Sequence, residues 1–128
     1  MTLSGPVTTS LVTGSSAAAR EQAIFDQLRV ADLHDGAAKS AVILEGLASG
    51  NSPLDTLPAH VLCARIAPGC LCCAGNLVLR VTLNRMLRQR PERLFISVAR
   101  SEHLDQLRSW LQAEPYDQLL RLTPDLIS

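Results

Sequence analysis

The sequence predicts an α/β fold with a mostly parallel sheet and helices packed on both faces of that sheet. Two observations carry this prediction. Short runs of β-branched and aliphatic residues alternate along the chain with segments that have helical spacing, and Gly, Pro or polar residues close most of these runs. Strands that alternate with helices pair in parallel, because each helix returns the chain to the edge where the next strand begins. We expect residues 1–128 to form one domain.

The first half of the chain contains three predicted strands and one predicted helix. The strands are Val7–Thr13, 41–44 and Val61–Ile66. Their residues are mainly aliphatic and β-branched, and the second run is unbroken, as in a strand that is buried on both faces. After Gly14, Ser15 and Ser16 are expected to cap a helix that begins at 17–19 and turns Ile24 and Leu28 inward. Residues 46–58 are rich in Gly, Ser and Pro and predict a loop.

The second half repeats the alternation. Asn76 is expected to cap a helix that Pro91 stops, with Leu79, Leu83, Met86 and Leu87 on its inner face. A strand follows at 94–99. Ser101 is expected to cap a further helix that ends before Pro115, and its inward residues are Leu104, Leu107 and Leu111. A last, weak strand is predicted at 119–122.

Charge is balanced overall and uneven along the chain. Twelve basic and twelve acidic residues give a net charge of zero, so the composition favours neither nucleic acid nor a membrane as a partner. No acidic residue occurs between Asp55 and Glu92. The arginines in that interval are Arg65, Arg80, Arg85, Arg88 and Arg90. Our preferred interpretation is a solvated helix face, and the alternative is a patch that binds an anion or an acidic partner.

The most informative run is 69–73, which contains Gly-Cys-Leu-Cys-Cys and follows the third predicted strand. Cys70, Cys72 and Cys73 place three thiols within four residues, and thiolates suit Zn²⁺ and Cu⁺. Zinc, the expected metal, favours four ligands, which leaves one position for another donor. The candidates for this fourth ligand are Cys63, His60 and Glu45.

Other interpretations of the cysteines remain open. They could be small buried residues, and Cys63 in particular is expected to pack in the core. Cys70 and Cys73 also form a C-x-x-C pair that could be a redox dithiol. No basic segment precedes Arg20 and no apolar run is long enough to span a bilayer, so we expect a cytoplasmic protein whose thiols stay reduced.

Together with the first strand, the cysteine motif resembles the CobW-like branch of the CobW/HypB/UreG class of metal-trafficking GTPases. In that family a G-C-x-C-C motif follows the third strand of a nucleotide-binding α/β domain. Residues 14–22 align without a gap with the family's P-loop, G-x-x-G-x-G-K-T-T, and Leu44-Glu45 falls where the family has Asn-Glu. The resemblance covers residues 7–122 and implies a truncated, P-loop-GTPase-like domain.

Departures from the family pattern fall on the nucleotide-binding residues. Two P-loop glycines are replaced by Ala17 and Ala19, whose Cβ atoms resist the backbone conformations that wrap phosphate. The phosphate-binding Lys is replaced by Arg20, the magnesium-binding hydroxyl by Glu21, and the acidic residue of a later strand by Ser97. No N-K-x-D segment is present. The resemblance therefore implies a degenerate P-loop at Gly14, Arg20 and Glu21, and GTP is not expected as a cofactor.

These residues predict a non-hydrolysing CobW-like relative that binds a transition metal through Cys70, Cys72 and Cys73 and acts in metal homeostasis or delivery. No enzymatic activity is expected. One alternative is a pseudo-GTPase interaction module that binds a protein partner or forms a homodimer through the Arg face of helix 76–90 or the helix of Trp110. The others are an active GTPase with an atypical P-loop and a thiol-redox protein.

Overall fold

The computed structural model describes residues 6–35, 39–46, 52, 54, 60–66, 77–99, 104–114 and 116–127, with the backbone alone at 31–35. The strands are β1 Val7–Thr13, β2 Ser40–Glu45, β3 Val61–Ile66, β4 Arg93–Ser97, β5 Leu120–Leu122 and β6 Leu126–Ile127. The helices are α1 Ala17–Asp35, α2 Leu77–Leu87, α3 Leu104–Leu111 and α4 Tyr116–Leu119.

The strands form one sheet in the order β3-β2-β4-β1-β5, and β6 continues alongside β1 beyond β5. Every pairing among these described strands is parallel. The predicted α/β fold with a mostly parallel sheet is therefore confirmed. Strands β1 and β3 have the predicted bounds, whereas α4 and β6 are short elements that the sequence pattern did not indicate.

Side chains alternate across the sheet and build two hydrophobic cores. On one face, Leu11, Ile43 and Ile96 pack with residues of α2 and α3. On the other face, Val12, Val42, Leu44 and Phe95 pack with Ile24 and Leu28 of α1 and with Leu54. Helices thus cover both faces, as predicted.

The helices place the predicted residues inward. Leu79, Leu83 and Met86 of α2 are buried, and so are Leu107 and Leu111 of α3, while Leu87 and Leu104 are half-buried at the margin. At the start of α1, the backbone N–H of Ala19 donates to Ser16 Oγ at 3.1 Å, which is the predicted N-terminal cap. The predicted caps Asn76 and Ser101 lie outside the described residues.

A small aromatic cluster joins α2, α3 and α4. The rings of Trp110 and Tyr116 lie 5.0 Å apart, and the Arg80 guanidinium stacks 5.6 Å from the Trp110 ring. Tyr116 donates its hydroxyl to Asn84 Oδ1 at 2.9 Å. Burial raises the pKa of Tyr116, against the opposing effects of Arg80 and the hydrogen bond to Asn84. This cluster fixes the outer layer over the α2 face of the sheet.

The order of the strands creates a topological switch point at the carboxyl ends of two strands. The adjacent strands β1 and β4 are followed by α1 and α3, which pack on opposite faces. Adjacent parallel strands whose following helices lie on opposite faces mark the place where open α/β sheets bind ligands. None of the described helices combines the length and apolar character needed to cross a bilayer.

Candidate functional site

The connection between β1 and α1 contains only Gly14, Ser15 and Ser16. Three consecutive alanines follow, and alanine has the highest helix propensity of all residues, so α1 begins at once behind the Ser16 cap. A phosphate-binding loop needs several successive residues in non-helical conformations whose N–H groups surround the phosphate oxygens. Here residues 17–22, which align with most of the P-loop, lie inside the helix. Of the three positions where the family pattern has glycine, only that of Gly14 lies in the connection.

Arg20 extends to the switch point at the ends of β1 and β4. Its side chain is buried, with Nε donating to Ser97 Oγ at 2.9 Å and Nη1 donating to the Gly14 carbonyl oxygen at 3.4 Å. Ser97, the last residue of β4, is itself only 1% exposed. The guanidinium therefore occupies the switch point and binds the chain on both sides of it.

Glu21 and Arg65 form a second contact at the same edge. Arg65 Nη1 and Nη2 each donate to a different carboxylate oxygen of Glu21, at 3.0 Å in both cases. The side chains are 7% exposed for Glu21 and 18% exposed for Arg65. A bidentate ion pair that is largely shielded from water fixes the relative positions of the two side chains. It ties the first turn of α1 to the edge strand β3.

The burial of these charged residues has a visible cause in the sequence. Arg20 and Glu21 precede Ile24 by four and three residues, so they continue the buried stripe of α1 toward its first turn. Arg65 follows Val61 by four residues and therefore shares its face of β3, the face that α1 covers. Helical and strand spacing alone would have predicted the inward direction. In the sequence, Arg65 stands out only as part of a charge run, and Ser97 only as the replacement of an acidic residue.

Glu45 joins the ends of three strands. It is buried at the end of β2, pairs in register with Ile66 of β3, and accepts a hydrogen bond from the Ala99 backbone N–H at 2.8 Å. The next residue, Gly46, has φ +141°, a conformation that favours glycine, and donates to the Ile66 carbonyl oxygen at 2.9 Å. A buried carboxylate thus lies at the edge where β3 ends.

The predicted metal ligands divide into two groups. Cys70, Cys72 and Cys73 lie outside the described residues, and the metal site stays a prediction. Within the described part of the chain, no group of three or more His, Cys, Asp or Glu side chains is arranged to hold a metal ion. Glu45 lies at the carboxyl edge of the sheet, from which the chain continues toward the cysteines.

Cys63 and His60 lie elsewhere on β3. Cys63 is exposed, so its predicted place in the core was wrong. The reason is that β3 is an edge strand, a fact that depends on the strand order and not on local sequence. His60 precedes β3 at the amino-terminal ends of the strands. Its carbonyl oxygen accepts a hydrogen bond from the Ser40 N–H at 3.0 Å.

The chemistry of the carboxyl edge follows from these contacts. Arg20 directs two of its donor nitrogens to Ser97 and Gly14, and Glu21 presents both oxygens to Arg65. Comparisons of the chain with protein-family models, curated proteins and solved structures find no match. In the described part, Arg20 contacts Gly14 after β1 and Ser97 at the end of β4, and Glu21 contacts Arg65 near the end of β3.

Proposed function

We propose that this chain is a shortened, non-hydrolysing relative of the CobW-like GTPases that binds a transition-metal ion through Cys70, Cys72 and Cys73 and buffers or delivers it. Zinc is the expected ion. The observation that carries this proposal is the register of Glu45 with Ile66. It puts a buried carboxylate beside the end of the strand from which the cysteine motif follows four residues later.

The loss of nucleotide hydrolysis is supported by the contacts of Arg20 and Glu21. At the P-loop lysine position, Arg20 donates to Ser97 and Gly14, and at the magnesium-ligand position, Glu21 binds Arg65. A bound Mg²⁺-triphosphate would have to displace both contacts and face the Glu21 carboxylate. The three-residue connection before α1 also lacks the length of a phosphate-binding loop. The residues present therefore do not fit a triphosphate.

Glu45 is the best candidate for the fourth metal donor. Six residues of β3 separate His60 from the carboxyl edge, a distance of about 20 Å along the strand. Cys63 lies in the middle of β3, in register with Val42. Its side chain is on the same side of the sheet as α1 and is exposed. Glu45, in contrast, lies at the carboxyl edge, and the hydrogen bond from Ala99 fixes its position.

A site with three thiolates and one carboxylate suits delivery better than storage. The thiolates bind a soft ion strongly, while a carboxylate oxygen is a harder and more readily exchanged ligand for zinc. An incoming donor from a client protein could replace Glu45 without removing the cysteines. The metal is cargo in this proposal and not a resident cofactor.

The zinc affinity of the reduced protein tests the proposal. In competition with a chromophoric chelator under anaerobic conditions, we expect a Kd tighter than about 1 μM. Replacing Cys70, Cys72 and Cys73 together by Ser should weaken binding by about a hundredfold or more, because thiolates supply most of the binding energy. Glu45→Gln should weaken it by about tenfold.

Cys63→Ser and His60→Ala serve as matched controls, since each removes a potential ligand that lies away from the carboxyl edge. Both variants should retain the wild-type zinc affinity. Equal affinity in the wild type and the triple cysteine variant would contradict the proposal.

A second candidate function, a protein-interaction module, is favoured by a separate observation. The outer face of α2 carries exposed apolar side chains at Leu77, Val78 and Val81. Metal binding and partner binding are compatible, because a delivery protein must contact its client.

A further inference from the structure

Helix α2 has an exposed stripe opposite its buried face. Leu79, Leu83 and Met86 point into the core, whereas Leu77, Val78 and Val81 are 68%, 50% and 49% exposed. Three large aliphatic side chains so close together on the surface are unusual for a helix that already buries one face. The first half of α2 is therefore apolar on both sides.

The same stripe becomes cationic toward the end of the helix. Leu77, Val81, Arg85 and Arg88 follow at spacings of four, four and three residues, so they lie along one line on the surface. Arg88 continues the helical hydrogen bonding, since its N–H donates to the Asn84 carbonyl oxygen at 3.2 Å. The line from Leu77 to Arg88 is about 17 Å long.

The arginines of the stripe have no acidic partner within the described part of the chain. Neither Arg85 nor Arg88 forms an ion pair or a side-chain hydrogen bond there. Together with Val81 and Asn84 they line a shallow depression on the surface. Two uncompensated cations beside an apolar patch present a surface whose complement is apolar at one end and acidic at the other.

We propose that this stripe of α2, defined by Leu77, Val78, Val81, Arg85 and Arg88, is a docking site for an amphipathic helix of a partner protein. The partner helix carries aliphatic residues in one part of its contact face and Asp or Glu in the other. Helices commonly bind such surfaces through side chains at i, i+3, i+4 and i+7. This inference does not depend on metal binding at the cysteines.

The arrangement of charge along the stripe favours a protein helix over a membrane or a nucleic acid. A helix on a lipid surface places its apolar residues in the bilayer and its cations along the flanks of the apolar strip. Here Arg85 and Arg88 follow the apolar residues along the same line. A nucleic-acid surface would present a broad basic field, and in this stripe exposed aliphatic residues occupy half of the length.

A pair of synthetic helical peptides tests the proposal. The first has leucines and then glutamates along one face, and the second has the same composition with the two residue types on opposite faces. With the intact protein and fluorescence anisotropy, we expect the first peptide to bind at least about tenfold more tightly than the second. Equal binding of the two peptides, or no binding of either, would overturn the inference.

Variants of the stripe sharpen the test. The double variant Arg85→Glu, Arg88→Glu should lose affinity for the first peptide by about tenfold or more and gain affinity for a version that has Lys in place of Glu. Val81→Asp should also weaken binding of the first peptide. The matched control is Arg29→Glu, which changes an exposed arginine of α1 and should leave the affinity for this peptide unchanged.

The binding experiment also includes two other ligands, which are phosphatidylcholine–phosphatidylserine vesicles and a duplex DNA oligonucleotide. Binding to either that is lost in the double arginine variant, without selective peptide binding, would assign the stripe to that class of partner and overturn the proposal. Selective peptide binding with restoration by the Lys peptide would support it.

Discussion

Replacement of Arg65 by Ala is expected to reduce the free energy of unfolding by about 2–4 kcal/mol. The substitution removes both hydrogen bonds to Glu21 and leaves a carboxylate that is only 7% exposed without its cationic partner. Removing one partner of a buried pair costs more than the pair itself contributes, and the partial exposure of Arg65 sets the lower part of the range. Urea unfolding followed by circular dichroism measures the difference.

A double variant separates the effect of losing the Glu21–Arg65 ion pair from the effect of losing side-chain packing. Glu21→Gln combined with Arg65→Met removes both charges. Its loss of stability should be smaller, by about 1 kcal/mol or more, than the sum of the losses measured for Glu21→Gln and Arg65→Met separately. Arg121→Ala is the control, because Arg121 is exposed and should change stability by less than about 0.5 kcal/mol. Additive losses would show that the Glu21–Arg65 contact does not stabilise the fold.

Replacement of Ser97 by Ala should cost about 2 kcal/mol. The hydroxyl accepts the hydrogen bond from Arg20 Nε at 2.9 Å, and both side chains are buried. Removing the acceptor leaves a charged donor without its partner at the switch point, and hydrogen bonds to charged groups contribute more than neutral ones. The free energy of unfolding of the variant tests the expectation.

Thr9→Val provides the neutral comparison for this substitution. The Thr9 hydroxyl is also buried and donates to the Val7 carbonyl oxygen at 3.0 Å, so its removal should cost less, about 1 kcal/mol. In an Arg20→Met background the cost of Ser97→Ala should fall, because the donor is absent. A cost that is unchanged in that background would mean that Arg20 does not depend on Ser97.

The α/β fold could be predicted because its signals are local. The β-branched residues of β1 and the unbroken apolar run of β2 mark strands by composition alone, and the spacing of Leu79, Leu83 and Met86 marks one face of α2. The order of the strands is not a local property. Cys63 was therefore assigned to the core, because its sequence neighbourhood does not reveal that β3 lies at the edge of the sheet.

The contacts of the candidate site were only partly predictable. The alignment with the P-loop identified Arg20 and Glu21 as changed positions beside the retained Gly14, but it described only what the two changed residues lack. Their partners, Ser97 and Arg65, lie 77 and 44 residues further along the chain and meet them only through the pairing of the strands. Sequence spacing predicts direction from the backbone, and the choice of partner depends on the tertiary structure.

These contacts change the meaning of the departures from the family pattern. Under the proposed relationship to the CobW-like GTPases, substitutions that remove phosphate and magnesium binding could leave this region poorly packed. In this chain Arg20 binds Ser97 and Gly14, and Glu21 binds Arg65, so these side chains link α1 to the ends of the strands. We interpret these contacts as a fixed structural element at the carboxyl edge of the sheet.

The metal content of the protein, purified without oxygen and without added chelator, decides whether the cysteines hold a metal ion. Elemental analysis should find about one zinc ion per chain in the wild type, as expected for a single site with four ligands. The Cys70, Cys72, Cys73 to Ser variant should contain almost none while keeping the same circular dichroism spectrum. Wild-type protein without metal, or a triple variant with the same metal content, would contradict the claim.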